Sequence, residues 1–107
     1  MGADKHDTHL QIPDWLFTDA GLRPMEACCY SAILSFTVAG KECFLSLSKF
    51  AKRFNATDRT ILNTLHALED QGLIEKEKYK FEGVSRCRYR AKYLKADEFR
   101  AKNLTDR

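Results

Sequence analysis

Seven lysines and arginines stand between Lys76 and Lys92, opposed in that stretch only by Glu77 and Glu82. The local balance is +5, whereas the whole chain carries +3, so the remainder sums to −2. Positive charge is gathered on one segment. The chemistry this supports is electrostatic: attraction of a polyanion, for which a row of cations on a ribbon fits a phosphate backbone. Just upstream, Arg59, Thr60, Asn63 and Thr64 place short polar groups and one guanidinium at helical spacing. Such groups exchange hydrogen bonds with phosphates and with the edges of bases.

Covalent chemistry has no such support. There is no phosphate-cradling glycine loop, no H-E-x-x-H and no G-x-S-x-G. His66 lies between Leu65 and Leu68 in the sequence and reads as a surface or boundary histidine, while Glu69 and Asp70 read as solvent-facing. An enzyme is not expected. Cys28, Cys29, Cys43 and Cys87 form no C-x-x-C pair, and no histidine stands at zinc-finger spacing from a cysteine pair. They read as reduced thiols behaving as small apolar residues. A redox pair of Cys43 and Cys87 stays open should their strands be neighbours. His6 and His9, with Asp4 and Asp7, fall in a polar stretch that offers no preformed metal site. No metal, cofactor or small-molecule ligand is expected.

The elements that must position these residues can be read from period and punctuation. A chain of 107 residues builds one compact domain. It has no apolar run of membrane-spanning length and no signal peptide, and His6 stands where a myristoylation signal needs Ser or Thr. No membrane association and a cytoplasmic location are expected. Residues 1–9 read as a disordered tail, 10–94 as the domain, and 95–107 as a short helix or tail held by few apolar positions. Within 10–22, Ile12, Trp15, Leu16 and Phe17 are too apolar to lie exposed together, and Trp15 should anchor the segment on the core.

A helix should start at Pro24 and end at Gly40, with Met25, Cys28 or Cys29, Ala32, Ile33, Phe36 and Val38 as its apolar stripe. Cys43, Phe44 and Leu45 predict a brief strand. Ser46 reads as the N-cap of a helix with Leu47, Phe50, Ala51 and Phe54 on one side and Lys49, Lys52 and Arg53 on the other. Asn55 and Ala56 make a turn. Thr57 caps a helix over about 57–71 whose core face is Ile61, Leu65 and Leu68, with Arg59, Thr60, Asn63 and Thr64 opposite. Residues 74–93 then alternate with period two. Lys76, Lys78 and Lys80 share one face of the outgoing strand. Arg86, Arg88, Arg90 and Lys92 share one face of the return strand, with Gly83 in the turn between.

This order resembles the winged helix-turn-helix family, in the branch of plasmid and phage replication initiators and related regulators. The resemblance rests on Ile12-Pro13-Asp14-Trp15, Leu22-Arg23-Pro24, Cys43-Phe44-Leu45-Ser46, Phe54-Asn55-Ala56-Thr57, Arg59-Thr60-Ile61 and Leu68-Glu69-Asp70-Gln71-Gly72-Leu73-Ile74. It spans about residues 12–93. It implies an α+β, mostly helical fold: a three-helix core with a small antiparallel β-wing.

The implied partner is double-stranded DNA, with the 57–71 helix in the major groove and the 74–93 wing on the backbone. Arg59, Thr60, Leu62 and Asn63 would face bases; Arg59 could fork onto guanine and Asn63 onto adenine. Leu62 either touches a thymine methyl or belongs to the core. Ser46, Ser48, Lys49, Thr57, Thr64, Lys76, Lys78, Lys80, Arg86, Arg88, Arg90 and Lys92 would hold the backbone. Thr60 could equally take a phosphate. Such readers pair as homodimers on half-sites, here through the 10–22 segment, the 24–40 helix or the C-terminal stretch. The role would be a transcriptional regulator or an origin-binding domain of a mobile element. The competing reading is a winged-helix protein–protein module docking an acidic partner through an exposed Trp15–Phe17 segment.

Overall fold

A computed structural model describes residues 11–41, 43–44 and 47–105. The expected tail over 1–9 and the expected N-cap Ser46 lie outside the described residues. The elements run α1 (Trp15–Thr18), α2 (Pro24–Val38), β1 (Cys43–Phe44), α3 (Leu47–Arg53), α4 (Asp58–Asp70), β2 (Ile74–Phe81), β3 (Val84–Ala91) and α5 (Ala96–Thr105). The strands form one antiparallel sheet in the order β1-β3-β2. This is the mostly helical α+β fold with a β-wing. No described helix is long and apolar enough to cross a membrane.

Helix α2 is the axis of the core. Pro24 opens it, and the Arg23 N–H donates to the Glu26 carboxylate at 2.9 Å, satisfying one end of the helix. Cys29 through Leu34 are all buried, so its middle is enclosed on every side. The apolar stripe expected from spacing is corrected at its end: Phe36 and Val38 are exposed, because the helix runs past the core there. Tyr30, fully buried, ties α2 to the end of the sheet. Its hydroxyl donates to the Tyr93 carbonyl at 2.7 Å and accepts from the Tyr93 N–H at 3.1 Å. Burial pushes the Tyr30 phenol up to about 12.

Trp15 and Leu16 are buried, and Trp15 meets Tyr30 edge-on at 6.0 Å. Phe99 of α5 packs against Trp15 and Tyr93, each at 5.5 Å, and Arg100 pairs with Asp19 at 2.9 Å. The C-terminal helix is thus clasped onto α1. The apolar segment that a docking module would present is largely inside the fold, leaving Phe17 outside.

Candidate nucleic-acid interface

Helices α3 and α4 form the pair that carries the polar set. Phe50 and Ala51 are buried, and Phe54 stacks edge-on against Phe50 at 5.8 Å. The chain then reverses through Asn55, whose φ of 54° is the left-handed conformation expected of an asparagine turn. The Ala56 N–H closes that turn on the Ala51 carbonyl at 2.8 Å. Thr57 caps α4: its hydroxyl oxygen accepts from the Thr60 N–H at 3.1 Å and stands 3.0 Å from the Thr60 hydroxyl. The Ser48 hydroxyl lies 3.5 Å from the Asp58 carboxylate, linking the starts of the two helices. Asp58 sits at the positive end of the α4 dipole.

Ile61, Leu65 and Leu68 are fully buried beneath α4, as their spacing required. Arg59, Thr60 and Asn63 are exposed above it, and Leu62 is half-buried between the two sides. Thr64 is a correction. It is buried, and its hydroxyl donates to the Thr60 carbonyl at 2.7 Å. Its position three residues from Ile61 and four from Leu68 places it in the buried stripe, so it does not face a partner. His66 joins the exposed set instead, one turn beyond Asn63. The three-residue step from Asn63 was the signal for it. Lys52 and Arg53, in the last turn of α3, are also exposed beside the turn, as is Lys49. Toward its C-terminus α4 exposes Glu69 and Asp70. The exposed cation of α4, Arg59, thus lies in its N-terminal half and the exposed carboxylates Glu69 and Asp70 at its other end.

The ribbon register decides what its cations can do. Glu82 (φ 53°) and Gly83 (φ 81°) form a two-residue loop with both φ positive, the signature of a type I′ hairpin turn. Phe81 then pairs with Val84, and counting inward pairs Tyr79 with Arg86, Lys78 with Cys87, Glu77 with Arg88, Lys76 with Tyr89 and Glu75 with Arg90. Directly paired residues share a face. The lysine row and the arginine row consequently lie on opposite faces. Lys76, Lys78 and Lys80 continue the face that holds buried Ile74, Tyr89 and Ala91 at the base of the ribbon. No carboxylate stands directly across from any of the three.

The arginine face differs. Arg88 donates to Glu77 at 2.7 Å and lies over the Tyr79 ring at 5.0 Å. The Arg88 hydrogen bond, and then its charge, hold the Glu77 carboxyl below its ordinary range. Arg90 stands across from Glu75, and Arg86 lies over the Phe81 ring at 5.5 Å. Two of the three arginines thus face carboxylates. Lys92 follows the strand, and its N–H donates to the Leu73 carbonyl at 3.0 Å.

Cys43 pairs with Tyr89 on the neighbouring strand, which sets Cys87 two residues off register from it. That diagonal is wider than a disulfide spans without backbone movement. Burial pushes the Cys43 thiol up to about 11 and the Cys29 thiol to about 12, favouring the unreactive protonated form. A cleft of about 730 Å³ between the end of α2 and the ribbon is lined by Lys41, Lys76, Arg88 and Arg90 and by Glu69, Glu75 and Glu77, a mixed set selecting neither sign of charge.

Comparison with known families agrees with this geometry. The profile of the helix-turn-helix domain family HTH_36 matches residues 20–74, just over half of the chain. The match runs from the approach to α2 through α3, the turn and α4 to the first residue of β2. No curated protein matches the chain. The chain belongs to the helix-turn-helix domain family.

Proposed function

We propose that this protein binds duplex DNA sequence-specifically, with the N-terminal half of α4 in the major groove and the lysine face of the ribbon on the phosphate backbone. One observation carries the reading. The exposed Arg59, Thr60 and Asn63 on α4 belong to the same compact unit as three lysines with no carboxylate directly across from them. Arg59 can fork onto guanine, and Asn63 can make a bidentate pair with adenine. Thr60 and His66 extend that reading row. Ser48, Lys49, Lys52 and Arg53 supply phosphate contacts from α3. Thr57 acts chiefly by holding the first turn of α4 in shape.

The register supports a larger backbone role for Lys76, Lys78 and Lys80. Arg88 and Arg90 face carboxylates, so their net attraction for phosphate is small. Two copies on paired half-sites fit the small reading surface of one helix. The resemblance to plasmid and phage replication initiators favours a regulator or an origin-binding protein of a mobile element. Selection from a pool of random duplexes tests the proposal. An enriched site, with two half-sites for a dimer, is expected. Recovery of an unbiased pool, with no salt-sensitive binding at micromolar protein, would contradict it.

A further inference from the structure

We infer that the distal half of the ribbon's arginine face is a stacking platform for single-stranded nucleic acid, separate from the duplex-reading surface. Phe81 and Val84 are 52% and 54% exposed and stand directly across from each other at the ribbon tip, where they join into one apolar patch. They share their face with Tyr79 and Arg86. Aromatic rings there alternate with guanidinium groups, Arg86 over Phe81 and Arg88 over Tyr79. The lysine face has no such exposed ring: opposite its lysines stand Tyr89, which is buried, Cys87 and Ser85.

The two faces therefore suit different partners. Lysines are point charges suited to phosphates. Rings interleaved with guanidinium planes suit bases as well as phosphates. Same-face residues along a strand stand about 7 Å apart. Bases in a duplex stack about 3.4 Å apart and show their faces only to one another. A drawn-out single strand can lay a base on each of two rings at that spacing, and a duplex cannot. Orientation points the same way. The lysine face continues the side of the sheet that holds buried Ile74, Tyr89 and Ala91, whereas no residue of the arginine face from Glu75 to Phe81 or from Val84 to Arg90 is buried. Glu75 and Glu77 offset Arg90 and Arg88 near the base of the ribbon, which confines the platform to Tyr79, Phe81 and Arg86 with Val84 at the rim. A contact of two or three nucleotides follows, with weak affinity.

The inference goes beyond the duplex reading, and its test separates the two. Binding of a short labelled oligothymidylate and of a labelled duplex is measured by fluorescence anisotropy for the unaltered protein, Phe81→Ala, Phe81→Trp and Asn63→Ala. The single strand should bind, Phe81→Ala should weaken it about tenfold, and Phe81→Trp should retain it. Duplex affinity should change less than twofold in Phe81→Ala, and Asn63→Ala should leave the single strand unaffected. Failure of the oligothymidylate to bind would overturn the inference whatever the duplex does. Equal loss of both ligands in Phe81→Ala would make the tip a duplex contact instead. A dimer in sedimentation that Phe81→Ala converts to monomer would assign the tip to a second copy of the chain. Thermal unfolding of Phe81→Ala, expected to match the unaltered protein, shows that the variant is folded.

Discussion

Single residues in this protein do one of two jobs, and burial separates them. Thr60 and Asn63 are exposed above α4, whereas Thr64, of the same chemical kind, is buried and bonded to the Thr60 carbonyl. Tyr30 belongs wholly to the fold. Its hydroxyl serves both the N–H and the carbonyl of Tyr93, so Tyr30→Phe leaves two backbone groups short of a partner. The variant should lose about 1–3 kcal/mol in denaturant unfolding. A change within about 0.5 kcal/mol would mean that water replaces the hydroxyl. Alkaline pH should act on the same group. The folded state holds the Tyr30 and Tyr89 protons up to about 12, above the ordinary value of 10. The unfolded chain sheds them first, so stability is intact below pH 10 and falls as pH rises from 10 toward 12. Tyrosinate absorbance followed with far-UV circular dichroism should show these two phenols ionising together with unfolding. Their ionisation in a still-folded protein would contradict this.

At the scale of elements, the ribbon shows what could and could not be read in advance. Period two assigned each strand its faces correctly, but pairing them needs the turn. A loop of Glu82 and Gly83 alone sets Phe81 across from Val84 and brings Glu77 opposite Arg88. A turn known only to contain Gly83 leaves that register open. The helix pair was more legible, since Asn55, the Thr57 cap and the Ile61, Leu65 and Leu68 spacing each specify local geometry. Thr64 departs from its expected exposure because its place in the i, i+3, i+4, i+7 stripe outranks its residue type. Phe36 and Val38 are exposed despite their spacing, because periodicity does not specify where the core ends. The register has a measurable consequence. Lys78→Ala and Lys80→Ala should each make the log–log salt slope of duplex binding shallower by about 1. Arg88→Ala should shift it by less than half as much, because its charge is already met by Glu77. A larger effect of Arg88→Ala would place the arginine face on the duplex.

The whole molecule is a core built around α2, with the helix pair on one side, the ribbon extending from it, and α5 clasped over α1. The fold class was legible because every level agreed: charge clustering, turn chemistry and periodicity all specify a helix pair with a wing. The residues proposed to face bases are less legible, since exposure and spacing select candidates by geometry alone. In the proposed complex α4 reads bases while the lysine face supplies attraction. This division of roles is tested most directly by competition binding, in which a selected duplex is challenged by its single-base variants for the unaltered protein, Arg59→Ala, Asn63→Ala and Lys78→Ala. Each α4 variant should lose about 1–3 kcal/mol of discrimination at one base position. Lys78→Ala should weaken all duplexes alike and keep their ranking. Discrimination left unchanged in both α4 variants would contradict the account.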